Sequence, residues 1–108
     1  MAQLAAELSR AHARVHANRR AHAPLRGSLR GLERLHARHA EELGGLITVA
    51  GAPVTAEKAQ EQVLPRIERA EARLQRRLVR DSVAAQSGAL ALLLAAMAAG
   101  LAQERTRL

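Results

Sequence analysis

Five histidines, all within the first 39 residues, are the side chains of this sequence best suited to chemistry. His12 and His16 stand four residues apart, on one face of any helix that holds them. Glu33 and His36 form a Glu-x-x-His pair, followed by His39 and Glu42. Carboxylate and imidazole three residues apart is the spacing with which helical bundles reach one metal ion from one helix. Those donors suit a transition metal such as iron or zinc. Each step of three residues turns the side chain by roughly 60°, so Glu33 and Glu42 fall on opposite faces and only neighbouring pairs can share an ion. If residues 23–27 reverse the chain, positions equidistant from the turn lie level. His12 and His16 then come beside Glu33 and His36, and these four residues are the candidate metal site. A two-metal bundle site needs a second Glu-x-x-His, yet no histidine follows His39; Glu7, Glu61, Glu68 and Glu71 are the carboxylates left to contribute. The competing reading takes the histidines as seam residues that set helix register or as solvated surface groups, with no cofactor. On that reading, replacing His36 or His39 by leucine keeps or raises stability.

The elements that must position these residues are helices. Leu4, Leu8, Ala11, Val15, Asn18, His22, Leu25, Leu29, Leu32, His36, His39, Leu43 and Leu46 recur at spacings of four and three. Ala23-Pro24, with Gly27-Ser28 behind it, interrupts the stripe, because proline cannot donate to the helical ladder. The pattern predicts helices over about 2–22, 28–50, 56–86 and 88–106. The second runs through Gly44-Gly45 to a cap at Gly51 and a stop at Pro53. Thr55 caps the third, with a kink or restart at Pro65, and Ser87 caps the fourth. The expected fold is all-α, one domain over 1–108 forming an up-and-down four-helix bundle. The alternative is two long kinked antiparallel helices completed by dimerisation.

Composition narrows the function. Of 108 residues 48% are hydrophobic, but alanine supplies 25 of these, and no Phe, Tyr, Trp or Cys is present. An all-β fold, disulfides, thiolate metal sites and sites that need a stacking Phe, Tyr or Trp are therefore excluded. Aromatic side chains bury the most area, so a core without them is thin and self-association is expected. The net charge is +7, and 16 of the 17 basic residues are arginine. Arg66, Arg69, Arg73, Arg76 and Arg80 form one stripe, read first as a solvated helix face, with an acidic partner surface as the alternative; nucleic acid is not expected without aromatic groups to stack on bases. Residues 83–102 carry no charge, which predicts a helix buried on all sides, with a membrane span as the alternative. No apolar leader opens the chain, which fits a cytoplasmic protein, or an exported or lipid-anchored one whose leader has been removed. Catalytic serine, phosphate-loop and nucleotide-binding motifs are absent.

The stretch Leu32-Glu-Arg-Leu-His36-Ala-Arg-His39-Ala-Glu-Glu-Leu43 followed by Val49-Ala-Gly-Ala-Pro53 resembles the second helix and turn of small actinobacterial ferritin-like domains of unknown function. The apolar run Ser87 to Gly100 is similar to their closing helix, and the resemblance covers roughly residues 25–105. It implies a four-helix bundle. It also implies iron chemistry only where both halves of a di-iron ligand set are present, and Glu33 and His36 match one half. The function expected from the sequence is a non-enzymatic structural or protein-interaction module, self-associating or an accessory subunit of a larger assembly. A ferritin-like metal-binding protein is the alternative.

Overall fold

A computed structural model describes residues 2–47 and 53–108. It is all-helical among those residues, with four main helices: α1 (Ala2–Ala21), α2 (Arg26–Glu42), α3 (Val63–Ala84) and α4 (Gly88–Arg105). Short 3₁₀ turns at Ala23–Leu25 and Gln60–Gln62 precede α2 and α3. Pro24 sits in the first of these turns, closed by Leu25 N–H donating to the His22 carbonyl at 2.9 Å. The chain reverses there, so α1 and α2 are separate antiparallel helices rather than one kinked rod. Ser87 caps α4 as its sequence position predicts, its hydroxyl accepting from the Leu90 N–H.

Around the bundle the order is α1, α2, α4, α3. Arg77 of α3 meets Glu7 of α1, and Glu57, just before α3, meets Asn18 near the other end of α1. Both α2 and α3 therefore run antiparallel to α1 and parallel to each other. The connection between them crosses the length of the bundle, and polar side chains of α1 hold it. Ser9 accepts from the Ile47 N–H at 3.0 Å. Asn18, fully buried, accepts from the Glu57 N–H at 2.9 Å while its amide donates to the Arg14 carbonyl at 2.9 Å. His22 Nε2 donates to the Glu57 carbonyl at 2.6 Å.

This crossover corrects two expected helix boundaries. Helix α2 stops at Glu42 instead of running through the glycines. Gly44 and Gly45 both take positive φ, with Gly45 N–H bonding to the Ala40 carbonyl at 2.7 Å and Gly44 N–H to that of Glu41 at 3.2 Å. That is a Schellman ending, which left-handed glycine makes cheap. The expected continuation to Ala50 and the cap at Gly51 fall on residues outside those described. Helix α3 starts at Val63 rather than 56, because both backbone groups of Glu57 are already bonded to Asn18 and His22. Thr55 is consequently exposed and caps nothing, and Pro65 lies in the first turn, where it does not kink the helix.

The core is leucine with alanine between: Leu4, Leu8, Leu29, Leu32, Leu78, Leu94 and Leu101 are buried, with Val15, Ile67 and Met97 among them. The expectation that α4 is buried on every side does not hold. Only Leu94, Met97, Ala98 and Leu101 of α4 are buried, since a four-membered ring of helices leaves each helix an outward face. Among the described residues no helix is long and apolar enough to cross a membrane. The uncharged run is broken at residues 85–87, and α4 closes on Glu104 and Arg105.

The α2 ending gives a direct test. Gly44 has open space around its Cα, so an added methyl group meets only the backbone cost of its φ of +105°. Gly44→Ala is expected to destabilise by roughly 1–2 kcal/mol in urea unfolding followed by circular dichroism. Gly27→Ala, at an equally open site inside α2 with no positive φ, should be neutral or slightly stabilising.

Candidate functional site

The four candidate metal ligands divide into two groups. At the α1–α2 seam, Glu33 receives a donor on each oxygen: His16 Nδ1 at 2.5 Å and Arg19 Nη1 at 2.7 Å. Burial pushes the Glu33 carboxyl up, but these hydrogen bonds outweigh it and hold it below its ordinary value. The His12 ring stacks on that of His16, with centroids 6.0 Å apart and planes 8° from parallel. Burial lowers the His12 imidazole pKa; the nearby Glu33 opposes this and His16 and His36 reinforce it. A carboxylate with both oxygens engaged and a half-exposed imidazole bonded to it form a charged clasp between two helices.

His36 leaves this group. One step of three residues from Glu33 turns it from the seam to the bundle centre. There it is fully buried, and Nε2 lies 2.9 Å from both oxygens of Glu71 on α3, donating to Oε1. Among the described residues neither His36 Nδ1 nor Glu71 Oε2 has a hydrogen-bond partner. One turn on, His39 is buried and packed beside Gly100 of α4. The predicted four-residue metal cluster is therefore split by the pitch of α2. Among the described residues no three His, Asp or Glu side chains converge so as to hold a metal ion.

Of the other carboxylates named from the sequence, Glu7, Glu68 and Glu71 are committed. Glu7 pairs with Arg77 at 2.5 Å and Glu68 with Arg105 at 2.5 Å, while Glu61 is exposed. Sequence reasoning did not place Glu71 in the core, although a signal existed: it shares the 67, 71, 74, 78 stripe with Ile67, Leu74 and Leu78. The five arginines of the predicted basic stripe are all exposed on α3, and Arg66 bonds to Glu57 at 2.9 Å.

The His36–Glu71 pair reverses the expectation for one substitution. His36→Leu leaves a carboxylate buried without its donor and is expected to cost about 3 kcal/mol or more. The double variant His36→Leu/Glu71→Leu should recover most of that loss, because two apolar side chains then fill the same space. Chemical denaturation of the two variants beside the parent reads the difference.

His39 supplies a pH dependence. Burial, reinforced by His36 and Arg38, pushes it from 6.5 down to about 4. The unfolded chain takes up this proton as pH falls below 6.5, while the folded chain resists it until about 4. Stability is thus complete above the unfolded value and declines between the two, by about 3 kcal/mol in all. His12, shifted in the same direction, adds to the decline. Denaturation midpoints measured from neutral pH down toward 4 should fall steeply in the parent and less steeply in His39→Leu.

No protein family, curated protein or solved structure matches this chain, and its function is to be read from its own residues.

Proposed function

We propose that the chain is a non-enzymatic helical module that self-associates through the outer face of α3 and α4. The observation that carries this reading is an apolar surface, uncharged along α4, left open on a strongly basic molecule. Leu92 is 76% exposed, Val83 84% and Val79 49%. Exposed Ala95, Ala96 and Ala99 extend the face along α4, and a shallow apolar cleft lined by Val79, Val83 and Ala99 joins the two helices.

A second copy suits this face for an electrostatic reason. Each chain carries +7, so contact through arginine-bearing surfaces sets like charges together, whereas α4 has no charge before Glu104. Alanines at successive turns let two helices approach closely, and a twofold axis makes one patch serve as both halves of the interface. Burying Leu92, Val79 and Val83 on both copies removes their exposed apolar area from water, and that is the driving force for association.

A ferritin-like metal-binding bundle is the second reading. Its support is the single long crossover, a connectivity that ferritin-like folds share, and the placement of His12 and His16 along the seam with Glu33, though the three do not converge on one point. It has less behind it, since Glu33 is saturated and His36 is bonded to Glu71.

Light scattering with refractive-index detection separates the readings, because a chain without Trp or Tyr hardly absorbs at 280 nm. At micromolar concentration the parent should run at twice 11.6 kDa. Leu92→Arg should restore the monomer, and Leu46→Arg, at an exposed leucine elsewhere, should not. A parent that stays monomeric overturns self-association. A melting temperature lowered by a chelator in the parent, but not in His12→Ala, would favour the metal-binding reading.

A further inference from the structure

We propose that the groove between α1 and α3 docks an acidic amphipathic segment of a partner protein. The groove has a volume of about 340 Å³, and five arginines rim it: Arg10 and Arg14 from α1, Arg73, Arg77 and Arg80 from α3. Its floor is apolar, made by the buried side chains of Ala11, Ala70 and Leu74. The one carboxylate lining it, Glu7, is taken by Arg77, which also donates to Asp81 at 2.9 Å. Among the described residues neither Arg14 nor Arg73 has a carboxylate partner. The guanidinium groups of Arg14 and Arg73, one on each rim, thus face the gap with no carboxylate of the described residues beside them.

The floor decides between anions. A rim of guanidinium groups alone would take any phosphate or carboxylate, since each fork binds either in two-point fashion. An apolar floor between two such rims adds surface that an inorganic anion or a sugar-phosphate backbone does not cover. A helix with a small apolar residue facing down and Glu or Asp on both flanks covers it, burying alanine against alanine and leucine. The rimmed length, from Glu7 to Arg14, is two helical turns or roughly 10 Å, room for apolar residues at i and i+4 of the partner. The absence of aromatic side chains removes the stacking platforms of single-stranded nucleic-acid sites. Alanine at positions 11 and 70 keeps the groove open.

Fluorescence anisotropy on the full chain tests this with three labelled probes: a helical peptide of Glu-Ala-Ala-Leu-Glu repeats, polyglutamate of equal charge, and a short DNA duplex. The helical peptide is expected to bind in the micromolar range and more tightly than the other two. Arg14→Ala/Arg73→Ala should weaken it about tenfold or more, as loss of charge-assisted hydrogen bonds implies. Arg69→Ala/Arg76→Ala, which removes two exposed arginines of α3 outside the groove, should change it less than about twofold. Circular dichroism checks that each variant folds, and Arg73→Glu, at an exposed position, gives the same reading if the double variant does not. Equal binding of polyglutamate, tighter binding of DNA, or equal loss in the two double variants would overturn the proposal. So would no binding of the helical peptide.

Discussion

A hydrogen bond between His36 and Glu71 crosses the centre of the bundle, joining two helices that are diagonal rather than adjacent. The core around it is mainly leucine and alanine with a few β-branched residues, which pack well in many relative positions. A core of interchangeable aliphatic side chains specifies register weakly. One buried donor–acceptor pair specifies it sharply, because a shift of one residue in either helix strands both polar groups in hydrocarbon. The parallel course of α2 and α3 makes this register a non-local matter. It is set across 35 residues of sequence, through a crossover that α1 holds by Ser9, Asn18 and His22. The polar side chains inside this protein thus act on the path of the chain, and the apolar ones supply the burial.

The helical character, the first reversal and the capping at Ser87 were legible in the sequence because each rests on local chemistry: alanine and leucine periodicity, Pro24, a hydroxyl before an apolar run. The crossover was not legible. Gly44-Gly45 within a helical pattern reads as tolerated glycine unless the backbone hydrogen bonds of the following segment are known to end elsewhere. The candidate site failed for a related reason. Glu33 and His36 were rightly placed on a helix, but which of them faced the neighbour and which faced the centre depended on where α3 stood. Glu71 was the missing term, and only its place in an apolar stripe announced it.

An aromatic-free composition also shapes the outside. Small side chains allow close helix packing but cover little, so a four-membered ring cannot enclose all of α4. The surface left open along α4 is neutral, while exposed arginines line α3 beside Val79 and Val83. The two helices thus present different surfaces, α4 apolar and α3 largely basic.

Helix α3 carries three of these surfaces at once. Ile67, Glu71, Leu74 and Leu78 face the core, Val79 and Val83 face outward beside α4, and Arg73, Arg77 and Arg80 face the groove with α1. The two outward surfaces lie on different flanks of the helix, so occupation of one leaves the other open. If both proposals hold, two chains joined through α3 and α4 present two arginine grooves at a fixed separation. A partner with two acidic segments would then engage the second groove at an effective concentration set by that separation, gaining strength without any new contact. Pairing of copies thereby becomes a means of raising a modest electrostatic affinity, which gives the neutral face and the basic groove a common purpose.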